Sequence, residues 1–170
     1  MTKYIALLRA VNVGGTGKLP MSDLKSMCVD AGFTNVQTYI ASGNVLFQSQ
    51  WAASKVKSTL EAKLLEYAGR EIGVVVRTAA EMKSVMDSNP FSDKAPNQTV
   101  AIFLDKPPAK DALNNVHGKA NELLALGKRE IFVFYADGIG RSKLKIDAAK
   151  LGTARNMNTI AKLVSLYSDQ

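Results

Sequence analysis

Val36-Gln37-Thr38-Tyr39-Ile40-Ala41-Ser42-Gly43-Asn44-Val45-Leu46-Phe47-Gln48-Ser49-Gln50 decides the fold. Two β-prone runs, Val36 to Ala41 and Val45 to Gln50, flank Ser42-Gly43-Asn44, a turn composition that predicts a hairpin and hence an antiparallel sheet. A helical pattern lies on each side. Upstream, Pro20 suits a first helical turn, Met21, Leu24, Met27, Cys28 and Ala31 recur on one helical face, and Gly32 ends the run. Downstream, Ser54 to Ala68 repeats that spacing through Val56, Leu60, Lys63, Leu64 and Tyr67, and stops at Gly69. The apolar run Tyr4 to Val11 reads as a central strand, and Ile72 to Val76 as a further strand.

The second half predicts the same order. Thr99 to Leu104 reads as a strand. Lys106-Pro107-Pro108 breaks it and opens a helix through Leu113, Val116, Ala120, Leu123 and Leu124 to Gly127. Ile131 to Tyr135 and the run from Ile139 flank Asp137-Gly138, a strong hairpin signal. A last helix over 153–167 places Met157, Ile160, Leu163, Val164 and Tyr167 on one face. Matching offsets, Tyr4 with Gln98, Gly43 with Gly138 and Ala53 with Thr153, imply a structural duplication. The expected fold is α+β, two ferredoxin-like βαββαβ subdomains whose antiparallel sheets carry helices on one face. The first subdomain covers 1–78 and the second 98–170. A connector over 79–97 holds a short helix opened by Thr78-Ala79-Ala80-Glu81 and closed by Asn89-Pro90.

Composition narrows the function. The 170 residues are 46% hydrophobic and 22% charged, an ordinary globular mixture that excludes disorder and fibrous repeats. No apolar run approaches the length of a membrane span, so the expectation is a soluble, cytoplasmic protein with no membrane partner. One Cys28 forbids an intrachain disulfide, and one His117 leaves little room for metal or triad chemistry. No cofactor is expected. Cys28 shares the apolar helix face and reads as a core residue.

The net charge of +7 suits an acidic or phosphate-bearing partner and, equally, a well-solvated lysine-rich surface. Five cations, Arg141, Lys143, Lys145, Lys150 and Arg155, face one acid, Asp147, giving a local +4. Alternation along a strand leaving Asp137-Gly138 sets Arg141, Lys143 and Lys145 on one face above Leu144 and Ile146, and Arg155 on the last helix extends the stripe. The loop Asn12-Val13-Gly14-Gly15-Thr16-Gly17-Lys18 is the other candidate. It fails both strict phosphate motifs: Asn12 and Leu19 stand where a Walker A loop needs glycine and a hydroxyl, and Pro20 stands where a dinucleotide fingerprint needs glycine. Its glycines and Lys18 still suit a plain anion site.

Four segments carry a family resemblance: Tyr4 to Gly15, Tyr39 to Phe47, Gly140 to Leu144 and Thr153 to Thr159. They resemble the bacterial domain of unknown function 1697 family, which usually has glycine where Ala10 stands and tryptophan where Met157 stands. The resemblance implies an α+β fold of two related subdomains and no established activity. Its polar motifs add Arg9, Asn12, Gly14, Gly15, Ser42, Asn44, Arg141, Lys143, Arg155 and Asn156 to Lys18 as candidate ligand-binding residues. The leading expectation is binding of nucleic acid or a phosphate-bearing small molecule. Two alternatives stay open: an enzyme acting on an anionic metabolite without a histidine base or metal, and a structural or interaction module.

Overall fold

The computed structural model describes residues 1–12 and 18–168. The chain divides into two compact units, residues 1–82 with 166–170, and residues 83–165.

In the first unit β1 (Thr2–Leu8), α1 (Met21–Asp30), β2 (Thr34–Tyr39), β3 (Asn44–Ser49), α2 (Ala53–Ala68) and β4 (Val74–Thr78) follow the expected βαββαβ order. The sheet runs β2-β3-β1-β4 with every neighbour antiparallel. Local chemistry explains the boundaries. Beyond the end of α1, Gly32 takes φ 91 and donates to Val29 O, and Phe33 N reaches Cys28 O, so two otherwise orphaned carbonyls are satisfied. Gly69 closes α2 in the left-handed region. Tyr4, Ala6, Leu8, Val45 and Phe47 pack on Leu24 and Cys28 of α1 and on Val56, Leu60 and Leu64 of α2. Phe33 stacks on Phe47 at 4.3 Å and meets Trp51 edge-on at 5.8 Å. The buried Tyr167 hydroxyl donates to the carbonyls of Tyr4 (2.5 Å) and Phe47 (2.6 Å) across the β1–β3 ladder.

Between the sheets along the chain, α3 (Ala79–Asp87) forms where expected. Its cap is reciprocal: Glu81 N donates to Thr78 Oγ1 at 3.1 Å, and Thr78 N donates to Glu81 Oε1 at 2.9 Å.

The second unit holds β5 (Thr99–Phe103), β6 (Leu123–Leu126), β7 (Glu130–Phe134) and β8 (Thr153–Asn156), with α4 (Met157–Ser168) following. Its order, β6-β7-β5-β8, repeats the first sheet strand for strand, again fully antiparallel. The duplication lies in the sheets and not in the connections. No helix forms over 109–126. Leu123–Leu126 is an edge strand on β7, and pairing outweighs the helical spacing of the leucines. Gly118 upstream takes φ 69, and a Cβ there would clash with Lys143 O. Asp137-Gly138 does turn the chain, with Gly138 N donating to Tyr135 O at 3.0 Å, yet no hairpin follows. β7 already has β6 on one side and β5 on the other, which leaves no slot for a returning strand. The chain instead makes short 3-10 turns at Ile139–Arg141 and Asp147–Ala149. The true hairpin of this unit turns between Leu126 and Glu130, so matching Gly43 with Gly138 was a false register. Thr153 likewise opens a strand instead of the last helix. Leu113, Val116 and Leu144 still pack against Val100, Ile102, Ile131, Val133 and Ile146, supplying from loops the cover that helices supply in the first unit.

Among the described residues no helix is long and apolar enough to cross a membrane. Among them, too, no three His, Cys, Asp or Glu side chains gather as metal ligands would.

Candidate functional site

Asn12, Ser42 and Asn44 come together at one end of the first sheet, where β1 runs out and the β2–β3 turn folds against it. Leu8 N donates to Gly43 O at 2.8 Å, and Arg9 N donates to Gly73 O at 2.9 Å beside the start of β4. Asn12 works as a brace. Its Nδ2 donates to Leu19 O (2.9 Å) and Ala41 O (2.8 Å), while its Oδ1 accepts from Leu19 N (2.6 Å). These bonds engage both amide hydrogens and tie the two ends of the 12–19 loop to the hairpin turn. Asn12 has φ 55, which asparagine tolerates better than most residues. Asn44 is fully buried, and its Nδ2 donates to Tyr39 O and Ser42 Oγ, both at 2.9 Å. Gly43, at φ 87, leaves no room for a side chain, since a Cβ would lie 2.7 Å from Val11 Cγ2. Gly14 and Gly15 lie outside the described residues.

Lys18 is exposed, and next to it opens a groove of about 280 Å³. Val11, Leu19 and Ile72 form its buried apolar floor; Lys18 and Arg70 bring positive charge to it. Tyr67 completes the wall. Its hydroxyl donates to Asp23 Oδ2 at 2.7 Å, a bond that fixes the ring and raises its pKa above the usual phenol value. Among the described residues the lining holds no carboxylate, histidine or cysteine. Cys28 is buried elsewhere in the core, its thiol pushed up to about 12 by desolvation, as its apolar helix face predicted.

The remaining candidates belong to the second unit, and the expected stripe does not form as one face. Arg141, Lys143, Lys145 and Lys150 are exposed, but Arg155 sits on β8, pairs with Ala101 of β5 and is 7% exposed. Arg155 Nη1 donates to Thr153 Oγ1 (2.7 Å) and Ala154 O (2.9 Å), and burial lowers its pKa to about 10. β4 of the first unit also buries an arginine, Arg77, so each sheet carries one on its fourth strand. Asn156 is a helix cap, its Oδ1 accepting from Thr159 N at 2.9 Å at the start of α4. Lys145 is not on a strand; its backbone exchanges two hydrogen bonds with His117, at 2.7 and 2.9 Å. His117 is thus an exposed loop residue 3.9 Å from Asp147, not a helical one.

Sequence reasoning missed Arg70 and Tyr67, which join Lys18 only because α2 ends beside the loop. The signal available was the basic residue directly after the Gly69 cap.

A comparison with curated proteins finds no match. Among solved structures, a conserved bacterial protein from Streptococcus pneumoniae superposes with a TM-score of 0.80 at 22% identity, over 97% of this chain and 98% of that one. At that identity the likeness is one of fold. The family described as protein of unknown function (DUF1697) matches residues 1–132, which take in the Tyr4 to Gly15 and Tyr39 to Phe47 segments. The braced loop and hairpin turn of the first unit therefore sit inside the matched region, and the chain belongs to the DUF1697 family.

Proposed function

We propose that the first unit binds a small phosphate-bearing molecule in the groove between Lys18 and Arg70. One observation carries the reading: two cations stand over an apolar floor of Val11, Leu19 and Ile72 in a concavity large enough for a compact ligand. Phosphate suits the cations, and an uncharged ring or chain suits the floor. Binding is favoured over catalysis because the described lining offers no histidine, cysteine or carboxylate to move a proton. Asn12 and Asn44 serve this reading indirectly, by holding Leu19 and the hairpin turn in place.

Nucleic acid is the second reading, supported by the four exposed cations Arg141, Lys143, Lys145 and Lys150. Calorimetric titration with adenosine monophosphate, inorganic phosphate and a single-stranded oligonucleotide separates the two. The groove reading expects the monophosphate to bind more tightly than phosphate alone, with Lys18→Ala and Arg70→Ala each weakening it about ten-fold. Failure of monophosphates to bind, or binding that both substitutions leave unchanged, refutes the groove. Oligonucleotide binding lost on replacing Arg141 and Lys143 selects the second reading.

A further inference from the structure

The second unit contains a smaller cavity that differs in chemistry from the groove of the first. It measures about 120 Å³ and is lined by Gly118, Glu122, Tyr135, Asp137, Arg141 and Lys143 among others. Its walls are pinned: His117 and Lys145 exchange two backbone hydrogen bonds, and Gly118 packs so closely on Lys143 that no side chain fits between them. Glu122 is 5% exposed, and its carboxylate accepts from one donor, Ala120 N, at 2.9 and 3.3 Å. A buried carboxylate with a single donor is poorly compensated. Tyr135, half-buried beside it, has its pKa raised by burial and by the Glu122 charge. Asp137 takes Asn121 Nδ2 at 2.8 Å, on the exposed side.

The lining thus holds two acids and two cations. Among the described residues no ion pair joins Glu122 to Arg141 or Lys143, although all three line one cavity. Opposite charges kept apart around a space match a ligand whose own charges are kept apart. A phosphate does not fit this description, because the buried Glu122 repels it. We infer that this cavity takes a small zwitterion of the free amino acid class, with its ammonium toward Glu122 and its carboxylate toward Arg141 and Lys143. The volume suits a molecule the size of alanine or serine.

The test is an NMR titration of the full chain with L-alanine, acetate, ethylamine and inorganic phosphate as separate probes, read at the amides of 118–122 and 135–143. Alanine shifts these amides and saturates, while acetate and ethylamine, each carrying one of the two charges, bind at least about ten-fold more weakly. Glu122→Gln keeps the side-chain shape and the acceptor for Ala120 N, and weakens alanine about ten-fold or more. Arg141→Met, on an exposed residue, does the same and carries the test should the Glu122 variant fail to fold. The proposal is overturned if alanine shifts none of these amides at tens of millimolar. It is equally overturned if acetate or phosphate binds as tightly as alanine, or if Arg141→Met leaves alanine binding unchanged.

Discussion

Replacing Asn12 by alanine separates a brace from a ligand contact. The substitution removes three hydrogen bonds, Nδ2 to Leu19 O and to Ala41 O and Leu19 N to Oδ1, in a half-buried setting. At about 0.5–1.5 kcal/mol each these sum to about 1.5–4.5 kcal/mol. A further cost of about 1 kcal/mol arises because alanine must hold φ 55, which asparagine tolerates better than alanine. The expected destabilisation is about 4 kcal/mol, roughly 8–16 °C in melting temperature for a chain of this size. Asn12→Gly loses the same bonds but accepts the backbone, so it falls short of the alanine variant by about 1 kcal/mol. Urea unfolding of both variants beside the parent reads these differences. A loss below about 0.5 kcal/mol in Asn12→Ala refutes the brace and returns Asn12 to the ligand candidates.

Three shorter predictions rest on the same geometry. Ala10 has φ 52, which explains the family's usual glycine there, so Ala10→Gly raises stability by about 0.5–1 kcal/mol in the same unfolding assay. Gly43→Ala forces a Cβ to 2.7 Å from Val11 and 2.8 Å from Leu8 at φ 87; it lowers stability by about 3 kcal/mol or prevents folding, seen by thermal melting. Burial raises the Cys28 thiol from about 9 to about 12, so its contribution is intact below pH 9 and falls as pH rises from there, by up to about 1.4 kcal/mol per pH unit. Cys28→Ala flattens that decline between pH 9 and 10, measured by urea unfolding across the range.

The first unit was legible because its signals are local. Pro20, Gly32, Gly69 and the hairpin at Ser42-Gly43-Asn44 each set a boundary through their own backbone preferences, and the apolar spacing between them matched what packs. The second unit was not, because partners distant in sequence decide its elements. Leu123 and Leu126 sit at helical spacing, yet β7 recruits them as an edge strand. Asp137-Gly138 is a real turn whose following segment has no strand to join. The site candidates show the same limit. An asparagine that binds a ligand and one that braces a loop look alike in sequence; only the positions of Leu19 O and Ala41 O identify Asn12 as the second kind. Arg155 looks like surface charge in sequence because its segment carries a helical pattern, while its place is on β8. Lys18 and Arg70, by contrast, lie 52 residues apart and share a groove that no motif announces.

Amide-resolved NMR titration of the full chain with adenosine monophosphate decides whether the groove of the first unit takes a phosphate-bearing ligand. Saturable shifts are expected at Lys18, Leu19 and 68–72, absent in a Lys18→Ala, Arg70→Ala double variant that keeps the parent's spectral dispersion. Saturable shifts confined to other residues, or shifts at these positions that survive in the double variant, would contradict it.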